Sequence, residues 1–167
     1  VPRPDSEVVV EAALRLLPDR PGLSIADLGT GSGCLLVAML SSRPDVTGVG
    51  IEADADAASL AAENIARHGL EARASVLAST WKDWQGWQGV DLVISNPPYI
   101  CTDVIPTLEP EVRVHDPGVA LDGGKDGLDA YREIARLART LLKPGTPLVL
   151  EIGFDQKRAV REILSEA

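Results

Sequence analysis

Short apolar runs alternate along the chain with longer segments in which apolar residues recur at every third or fourth position. The short runs predict buried strands, and the periodic segments predict helices that bury one face. We expect strands at residues 24–28, 47–51, 73–77, 90–95 and 147–152. We expect a first helix that Pro18 ends, and further helices at residues 34–42, 57–68, 127–142 and 156–166. The apolar face predicted for the first helix consists of Val8, Val9, Ala12 and Leu16.

This alternation of strands and helices predicts the fold class. Strands that are each followed by a helix form a parallel sheet with helices on its faces, joined by right-handed crossovers. A length of 167 residues is that of one domain. Between the fourth strand and the next helix, residues 100–125 are rich in Pro, Gly and Asp. We therefore expect a long loop there, and long loops inside compact domains are usually functional.

Charge and composition narrow the functional classes. The chain has 25 acidic and 16 basic residues, a net charge of −9, which argues against binding nucleic acid through its phosphates. No apolar run reaches the roughly 18 residues of a membrane span. The two cysteines, Cys34 and Cys101, lie far apart and indicate a reducing compartment and positions in or near the core. With His68 and His115 also far apart, no metal site is expected.

A glycine-rich turn, residues 29–33, follows the first predicted strand and precedes a helix. Glycine lets the backbone turn sharply and lets a ligand approach it closely. The N-terminus of the following helix presents free N–H groups to such a ligand. The spacing is GxGxG, one residue shorter than the dinucleotide fingerprint, and the lysine of a P-loop is missing. A nucleotide-like cofactor and a plain strand-to-helix turn both remain possible interpretations.

An acidic residue, Glu52, ends the second predicted strand. In doubly wound sheets a carboxylate at this position accepts hydrogen bonds from ribose hydroxyls. A solvated charge at a strand end is the alternative. Because Glu52 occurs together with the glycine turn, we favour the ribose interpretation.

The sequence Asn96-Pro97-Pro98-Tyr99 follows the fourth predicted strand, at the sheet edge where open α/β sheets bind ligands. Two prolines fix the backbone and remove two N–H donors, so carbonyl groups here can face a ligand. The Asn96 side chain adds an acceptor, and Tyr99 adds a flat apolar wall. The combination suits a planar –NH2 group that donates two hydrogen bonds. The alternative is a rigid turn with asparagine as its cap.

Together these motifs resemble the HemK/PrmC family of class I S-adenosylmethionine-dependent methyltransferases, which methylate the glutamine amide in the Gly-Gly-Gln loop of peptide-chain release factors. The similarity spans nearly the whole chain. The matching segments are residues 2–7, 27–33, 95–100, 109–113, 120–128, 131–132 and 151–153, with Gln156. The sequence N-P-P-Y alone also occurs in amino methyltransferases for adenine and guanine, so the ends and the loop make the match specific.

The resemblance implies a Rossmann-like, doubly wound, mostly parallel sheet of the class I methyltransferase type. It implies a cytoplasmic enzyme with S-adenosylmethionine as cofactor and a class 1 release factor as protein substrate, without direct nucleic-acid binding, membrane or metal. Residues 1–167 would form the catalytic domain. The family's N-terminal helical domain and its last two strands have no counterpart here, so we expect a sequence truncated at both ends.

The resemblance also assigns roles to individual residues. The turn would hold the methionine part and the ribose edge of the cofactor; its residues are Gly29, Thr30, Gly31, Ser32 and Gly33. Glu52 would accept from the ribose hydroxyls, and Trp81 would flank the adenine. Asn96 would touch both cofactor and substrate, and Pro97, Pro98 and Tyr99 would complete the glutamine pocket. Of these, Asn96, Pro97 and Tyr99 are the predicted catalytic residues.

The segment around Trp81 departs from the family pattern. The acidic residue that often precedes this tryptophan is replaced by Thr80, next to Ser79, so the partner of the adenine amino group stays open. Asp83-Trp84 is a second candidate for the aromatic position, but the spacing to Asn96 favours Trp81. Trp84 and Trp87 are expected to pack at the surface. In the later loop, Asp116-Pro117 stands where the family has Glu-Pro.

Two other functions fit parts of the pattern. An amino methyltransferase acting on a nucleic-acid base would use the same four residues on a flipped base, although the net charge of −9 argues against it. A non-catalytic binding protein could retain the fold, although the intact Asn96 and the glycine turn argue against that.

Overall fold

The computed structural model describes residues 4–108 and 121–167, with side chains from Glu7 onward. The chain divides into two compact units. The first comprises Val1–Asn96 and Leu142–Glu151, and the second comprises Pro97–Leu141 and Ile152–Ala167. The division thus falls at the Asn96–Pro97 peptide bond, inside the motif that the sequence singled out. Residues 2, 3 and 109–120, which carry part of the family resemblance, lie outside the described residues.

Within the described residues, the first unit holds a five-stranded, wholly parallel sheet. Its strands are β1 (Ser24–Leu28), β2 (Thr47–Glu52), β3 (Ala74–Ala78), β4 (Leu92–Ser95) and β5 (Leu148–Leu150). The spatial order is β3-β2-β1-β4-β5. The order reverses between β1 and β4, which is the topological switch point where open α/β sheets bind ligands. The predicted α/β, Rossmann-like fold class is therefore confirmed.

Burial explains why the central strands are mostly apolar. All four residues of β4 are buried, as are the last four of β1. Helices cover parallel sheets on both faces, so their central strands read as continuous apolar runs. The edge strand β3 is only partly buried.

Three helices belong to the first unit: α1 (Pro4–Leu16), α2 (Cys34–Ser42) and α3 (Ala55–Arg67). The apolar face predicted for α1 is right at Val9 and wrong at Val8 and Leu16. Val8 and Leu16 are 65% and 51% exposed, whereas Val9, Ala13 and Leu17 are buried. The buried residues recur at intervals of four, so they form one stripe along the helix that packs into the core.

Other boundaries differ from the predictions by a few residues. Helix α3 begins two residues early, because the Asp54 carboxylate caps it by accepting a hydrogen bond from the Ala57 N–H at 2.8 Å. Asp56, a second acidic residue, lies inside the first turn. Strands β4 and β5 are shorter than predicted, since the ladder between them spans only three residue pairs. Cys34 and Cys101 are free thiols and half-buried, in agreement with positions near the core.

The second unit contains α4 (Asp129–Leu141) and α5 (Lys157–Glu166), which pack against each other. The described ends of the long predicted loop are ordered around a β-bridge between Ile100 and Asp122. A short 3₁₀ turn, Ile105–Thr107, follows the first of these ends. Sequence patterns missed this turn and the similar one at Trp87–Gly89 in the first unit.

None of the helices in the described part of the chain is long and apolar enough to cross a membrane. Within the same residues, no three His, Cys, Asp or Glu side chains come together as they would around a metal ion.

Candidate functional site

Strand register in the first unit aligns the residues that follow β1 and β2. Leu28 pairs with Ile51 of β2 and with Ser95 of β4, so the three strands end at the same edge of the sheet. Gly29, Glu52 and Asn96 are the residues that directly follow these three aligned positions. The parallel sheet therefore brings together the glycine turn, the acidic residue and the asparagine that the sequence predicted as one site.

The glycine turn needs its three glycines for conformational reasons. Gly29, Gly31 and Gly33 have φ angles of 66°, 55° and 79°, in the left-handed region that strains other residues. Main-chain bonds from Gly29 and Thr30 to the Ile51 carbonyl, 2.8 and 3.1 Å long, tie the turn to β2. Gly33, the N-cap residue of α2, has no side chain that could cap the helix. The positive end of the helix dipole there favours an anionic group.

Glu52 supports the glycine turn directly. Its Oε2 accepts a hydrogen bond from the Gly31 N–H at 2.8 Å, and its Oε1 accepts one from the Asp54 N–H at 3.0 Å. Each carboxylate oxygen can accept two hydrogen bonds. The half-buried carboxylate thus keeps acceptor capacity while it fixes the turn.

Asp27 is the unexpected group at this edge. Its carboxylate is fully buried, and its Oδ2 accepts a hydrogen bond from the Thr30 hydroxyl at 2.6 Å. Its buried Oδ1 has no partner within the described residues. Burial raises the pKa of Asp27 to about 7. The Thr30 hydroxyl and the Leu36 N–H oppose this rise, and the nearby charge of Glu52 adds to it. The sequence reading gave Asp27 no role, although the residue opens the glycine motif.

Trp81 lies beside the glycine turn. A Cβ atom placed on Gly29 would lie 3.3 Å from Cζ3 of Trp81, so the ring packs against the turn. This contact supports Trp81 over Trp84 as the aromatic residue of the site. The expectation that Trp84 and Trp87 pack at the surface is wrong. They are 7% and 1% exposed, and their ring centroids lie 5.3 Å apart.

Trp87 also supports Trp81. Its Nε1 donates a hydrogen bond to the Trp81 carbonyl at 3.1 Å, while its ring fills the interior. Beside them, the Thr80 hydroxyl donates to Asp83 Oδ2 at 2.7 Å and accepts from the Asp83 N–H at 3.2 Å. Thr80 therefore caps a local turn, and Ser79 bonds the neighbouring Thr80 carbonyl at 3.2 Å.

Asn64 is a second residue that sequence reasoning missed. From α3 its Nδ2 donates to the Ser32 carbonyl at 2.9 Å, which ties the glycine turn to this helix. A Cβ on Gly33 would lie 3.3 Å from the Cβ of Ala61, so α3 packs directly on the turn. An asparagine in the middle of an amphipathic helix was the available signal, because asparagine is a weak helix former.

The Asn96-Pro97-Pro98-Tyr99 segment begins at the end of β4. Ser95 is fully buried and its hydroxyl donates to the Leu28 carbonyl at 2.6 Å, which fixes the strand end. Asn96 is half-buried. Among the described residues, neither the Asn96 side chain nor the Pro97 carbonyl has a hydrogen-bond partner. Acceptors held by a rigid backbone in this way can bind a planar donor such as an amide –NH2.

In the second unit, the Tyr99 backbone is enclosed by the glycine-rich segment 121–128. The Ile100 N–H donates to the Leu121 carbonyl at 3.0 Å, and the Gly123 N–H donates to the Ile100 carbonyl at 2.8 Å. The Tyr99 carbonyl accepts a hydrogen bond from Gln156 Nε2 at 3.0 Å. These bonds give a structural role to residues that the sequence analysis used only as signs of family resemblance.

A family model and several named proteins match this chain. Residues 9–105 match the family model described as "Methyltransferase small domain". The chain is 49% identical, over 99% of its length, to a protein of Caulobacter vibrioides named "Release factor glutamine methyltransferase". It is 45% identical, over 98% of its length, to a protein of the same name from Agrobacterium fabrum. The chain spans 57% and 58% of the lengths of these two relatives.

Solved structures share the fold. One is an RNA methyltransferase from Salinibacter ruber in complex with S-adenosyl-L-homocysteine, with a TM-score of 0.61 and 19% identity over 92% of this chain and 78% of that one. Another is the hMettl16 catalytic domain in complex with an RNA hairpin, with a TM-score of 0.76 and 14% identity over 99% of this chain and 63% of that one. At these identities the similarity concerns the fold alone.

Proposed function

Because the chain belongs to the methyltransferase small domain family, we propose that it transfers a methyl group from S-adenosylmethionine to the side-chain amide nitrogen of a glutamine. The acceptor we propose is the Gly-Gly-Gln loop of a class 1 peptide-chain release factor. The observation that carries the proposal is the 49% identity, over 99% of this chain, to a protein named for that reaction. Distant fold neighbours that act on RNA do not weigh against it, since their identity is 14–19%.

The residues around the glycine turn fit this cofactor. S-adenosylmethionine carries an ammonium, a carboxylate, a ribose and an adenine ring. The buried Asp27 Oδ1, which has no partner among the described residues, would accept a hydrogen bond from the ammonium. The N-terminus of α2, whose N-cap residue Gly33 has no side chain, would face the carboxylate. A Cβ on Gly31 would meet no atom within 4 Å, so open space lies beside the turn for a ligand.

Two further residues would hold the nucleoside. Glu52 would accept hydrogen bonds from the ribose hydroxyls with the acceptor capacity that its two main-chain bonds leave. Trp81, packed against Gly29, would flank the adenine ring. The bound cofactor supplies an activated methyl group on a sulfonium centre.

The protein's task is then to orient the acceptor. An amide nitrogen is a poor nucleophile because its lone pair is delocalised into the carbonyl group. Asn96 Oδ1 and the Pro97 carbonyl would accept the two N–H bonds of the glutamine amide. Acceptance by both groups turns the lone pair toward the methyl donor and stabilises the positive charge that develops on nitrogen. Pro98 and Tyr99 would complete the walls of the pocket. The nitrogen would form its bond to the methyl group as the methyl–sulfur bond breaks, and it would then release one N–H proton to water, so no general base is needed before transfer.

We further propose that the 167 residues act as a catalytic domain, and that the protein works in the cytoplasm, where release factors act. The site would need neither a metal nor direct contact with nucleic acid. The net charge of −9 supports a protein acceptor over a polyanionic one.

An acceptor panel tests the proposal. The chain is incubated with S-adenosylmethionine labelled in the methyl group and with one of three acceptors: a release factor, its Gln→Ala loop variant, or duplex nucleic acid. The full-length Caulobacter relative serves as the reference enzyme. Label on the release factor that is absent from its loop variant supports the proposal. Label on nucleic acid, or no label from the chain where the reference labels the release factor, contradicts it.

A further inference from the structure

Gln156 is buried at the start of α5, where only 9% of its surface is exposed. Its side-chain amide makes three hydrogen bonds to three separate stretches of backbone. Nε2 donates to the Tyr99 carbonyl at 3.0 Å and to the Gly127 carbonyl at 3.1 Å, and Oε1 accepts from the Gly153 N–H at 3.0 Å. One side chain therefore joins the end of the Asn-Pro-Pro-Tyr segment to two glycine-containing loops.

The chemistry of these partners requires an amide. Two carbonyl oxygens need two N–H donors, and the Gly153 N–H needs an acceptor, on one short side chain. Among uncharged side chains, only glutamine and asparagine carry two donors and an acceptor. A glutamate would place a negative charge against two carbonyl oxygens. Because these groups are buried, any partner left without a hydrogen bond is costly.

The neighbouring glycines leave room for this arrangement. A Cβ on Gly127, whose φ is +73°, would lie 2.4 Å from the Tyr99 oxygen and 2.7 Å from Gln156 Nε2. A Cβ on Gly123 would lie 2.8 Å from the Tyr99 Cα. Side chains at either position would displace the Tyr99 backbone or break its bond to Gln156. Glycine at both positions therefore allows the close packing around the Tyr99 backbone.

From these contacts we infer that Gln156 is a positioning residue for the acceptor pocket. It fixes the backbone of Tyr99 and thereby the Pro97–Tyr99 segment. The Pro97 carbonyl and the Tyr99 ring then receive the methyl-acceptor amide in one orientation. This inference rests on the proposed function. It deepens that function, because Gln156 acts through Tyr99 and does not itself touch the cofactor or the acceptor. Productive geometry is sensitive to displacements of about 1 Å, so a loosened segment lowers the transfer rate.

Hydrogen exchange tests the structural half without a methyl acceptor. Gln156→Ala is compared with Val160→Ala, which truncates a buried residue of the same helix that makes none of these bonds. The main-chain amides of Ile100, Thr102 and Gly123 report on the segment, because their hydrogen bonds join the residues directly after Tyr99 to segment 121–128. We expect their exchange to rise at least tenfold in Gln156→Ala and less than threefold in Val160→Ala. Equal exchange in the two variants overturns the inference.

Steady-state kinetics tests the functional half. The release-factor loop is the acceptor, and the temperature lies below the unfolding transition of every variant. We expect Gln156→Ala to lower kcat/KM for the acceptor at least tenfold, with the Kd for S-adenosylmethionine within twofold of wild type, and Val160→Ala to leave both within threefold. If the wild type transfers methyl and Gln156→Ala matches it, the inference fails while the proposed function stands. If the wild type labels no release factor, the proposed function fails, and with it the role given to Gln156, even where exchange shows that Gln156 holds the segment.

Discussion

The carboxylate of Glu52 holds the backbone N–H of Gly31 at 2.8 Å, so the acidic residue that ends β2 also shapes the glycine turn after β1. Gly31 has a φ of 55°, which leaves its N–H directed at the carboxylate and not into a helix or strand. A second bond, from the Asp54 N–H at 3.0 Å, fixes the other carboxylate oxygen. The two parts of the proposed cofactor site therefore depend on each other.

The first prediction concerns this dependence. Glu52→Gln keeps the side-chain length but retains one acceptor oxygen, so one of the two main-chain bonds is lost. Since hydrogen bonds to a charged group contribute about 1.5–3 kcal/mol, we expect the affinity for S-adenosylmethionine to fall at least tenfold by isothermal titration calorimetry. Glu71→Gln, at an exposed glutamate away from the turn, is the matched control. An unchanged Kd in Glu52→Gln would remove Glu52 from the site.

A second prediction separates the two roles of the tryptophans. Trp81→Ala removes the ring beside Gly29, so the cofactor Kd should rise about tenfold, within the range of aromatic stacking energies, with a small change in the free energy of unfolding. Trp87→Ala removes a fully buried ring and the hydrogen bond to the Trp81 carbonyl. We expect it to lower the free energy of unfolding by about 3–5 kcal/mol. Urea denaturation and cofactor titration measure both; a reversed pattern would contradict the assignment of Trp81.

The third prediction follows from the raised pKa of Asp27. Burial raises the pKa of this carboxyl from 3.8 to about 7, so between these values the folded state binds more protons than the unfolded state. Stability contributed by the protonated form is then present below pH 4 and is lost as pH rises toward 7. The limiting slope for one group is about 1.4 kcal/mol per pH unit.

Asp27→Asn isolates this effect, because an amide does not titrate and its oxygen can still accept from Thr30. We expect the difference in unfolding free energy between the variant and the wild type to grow in favour of the variant from pH 4 to pH 7. Chemical denaturation at several pH values measures it. A difference that stays constant over this range would show that Asp27 titrates near its ordinary pKa.

Most of the sheet could be predicted from the sequence because its central strands are short, mostly apolar segments separated by Gly, Pro and Asp. The starts of β1 and β2 were predicted to the residue, and so were the bounds of α2. The position of Glu52 and Asn96 at one sheet edge also followed from the parallel topology. These features depend on local patterns and on a general rule about where parallel strands end.

Long-range contacts account for the errors. The buried stripe of α1 depends on which face meets the core, and several stripes were compatible with its apolar residues. The burial of Trp84 and Trp87 depends on a ring pair and on the bond from Trp87 to the Trp81 carbonyl. Gln156 matched the family pattern, but its structural role could not be predicted, because its partners Tyr99 and Gly127 lie 57 and 29 residues away along the chain.

Site-resolved mass spectrometry after reaction with a release factor tests the central claim, that Asn96 and the residues after it orient a glutamine amide for methyl transfer. We predict that the wild type adds one methyl group at the glutamine of the Gly-Gly-Gln loop. Asn96→Ala should lower that methylation by at least a hundredfold, which is the order of loss when one positioned hydrogen-bonding group is removed from a reacting group. The cofactor Kd of this variant should stay within about tenfold of the wild-type value, a difference of about 1.4 kcal/mol. The account would be contradicted if Asn96→Ala methylated that glutamine as fast as the wild type does, or if the methyl group were found at another residue.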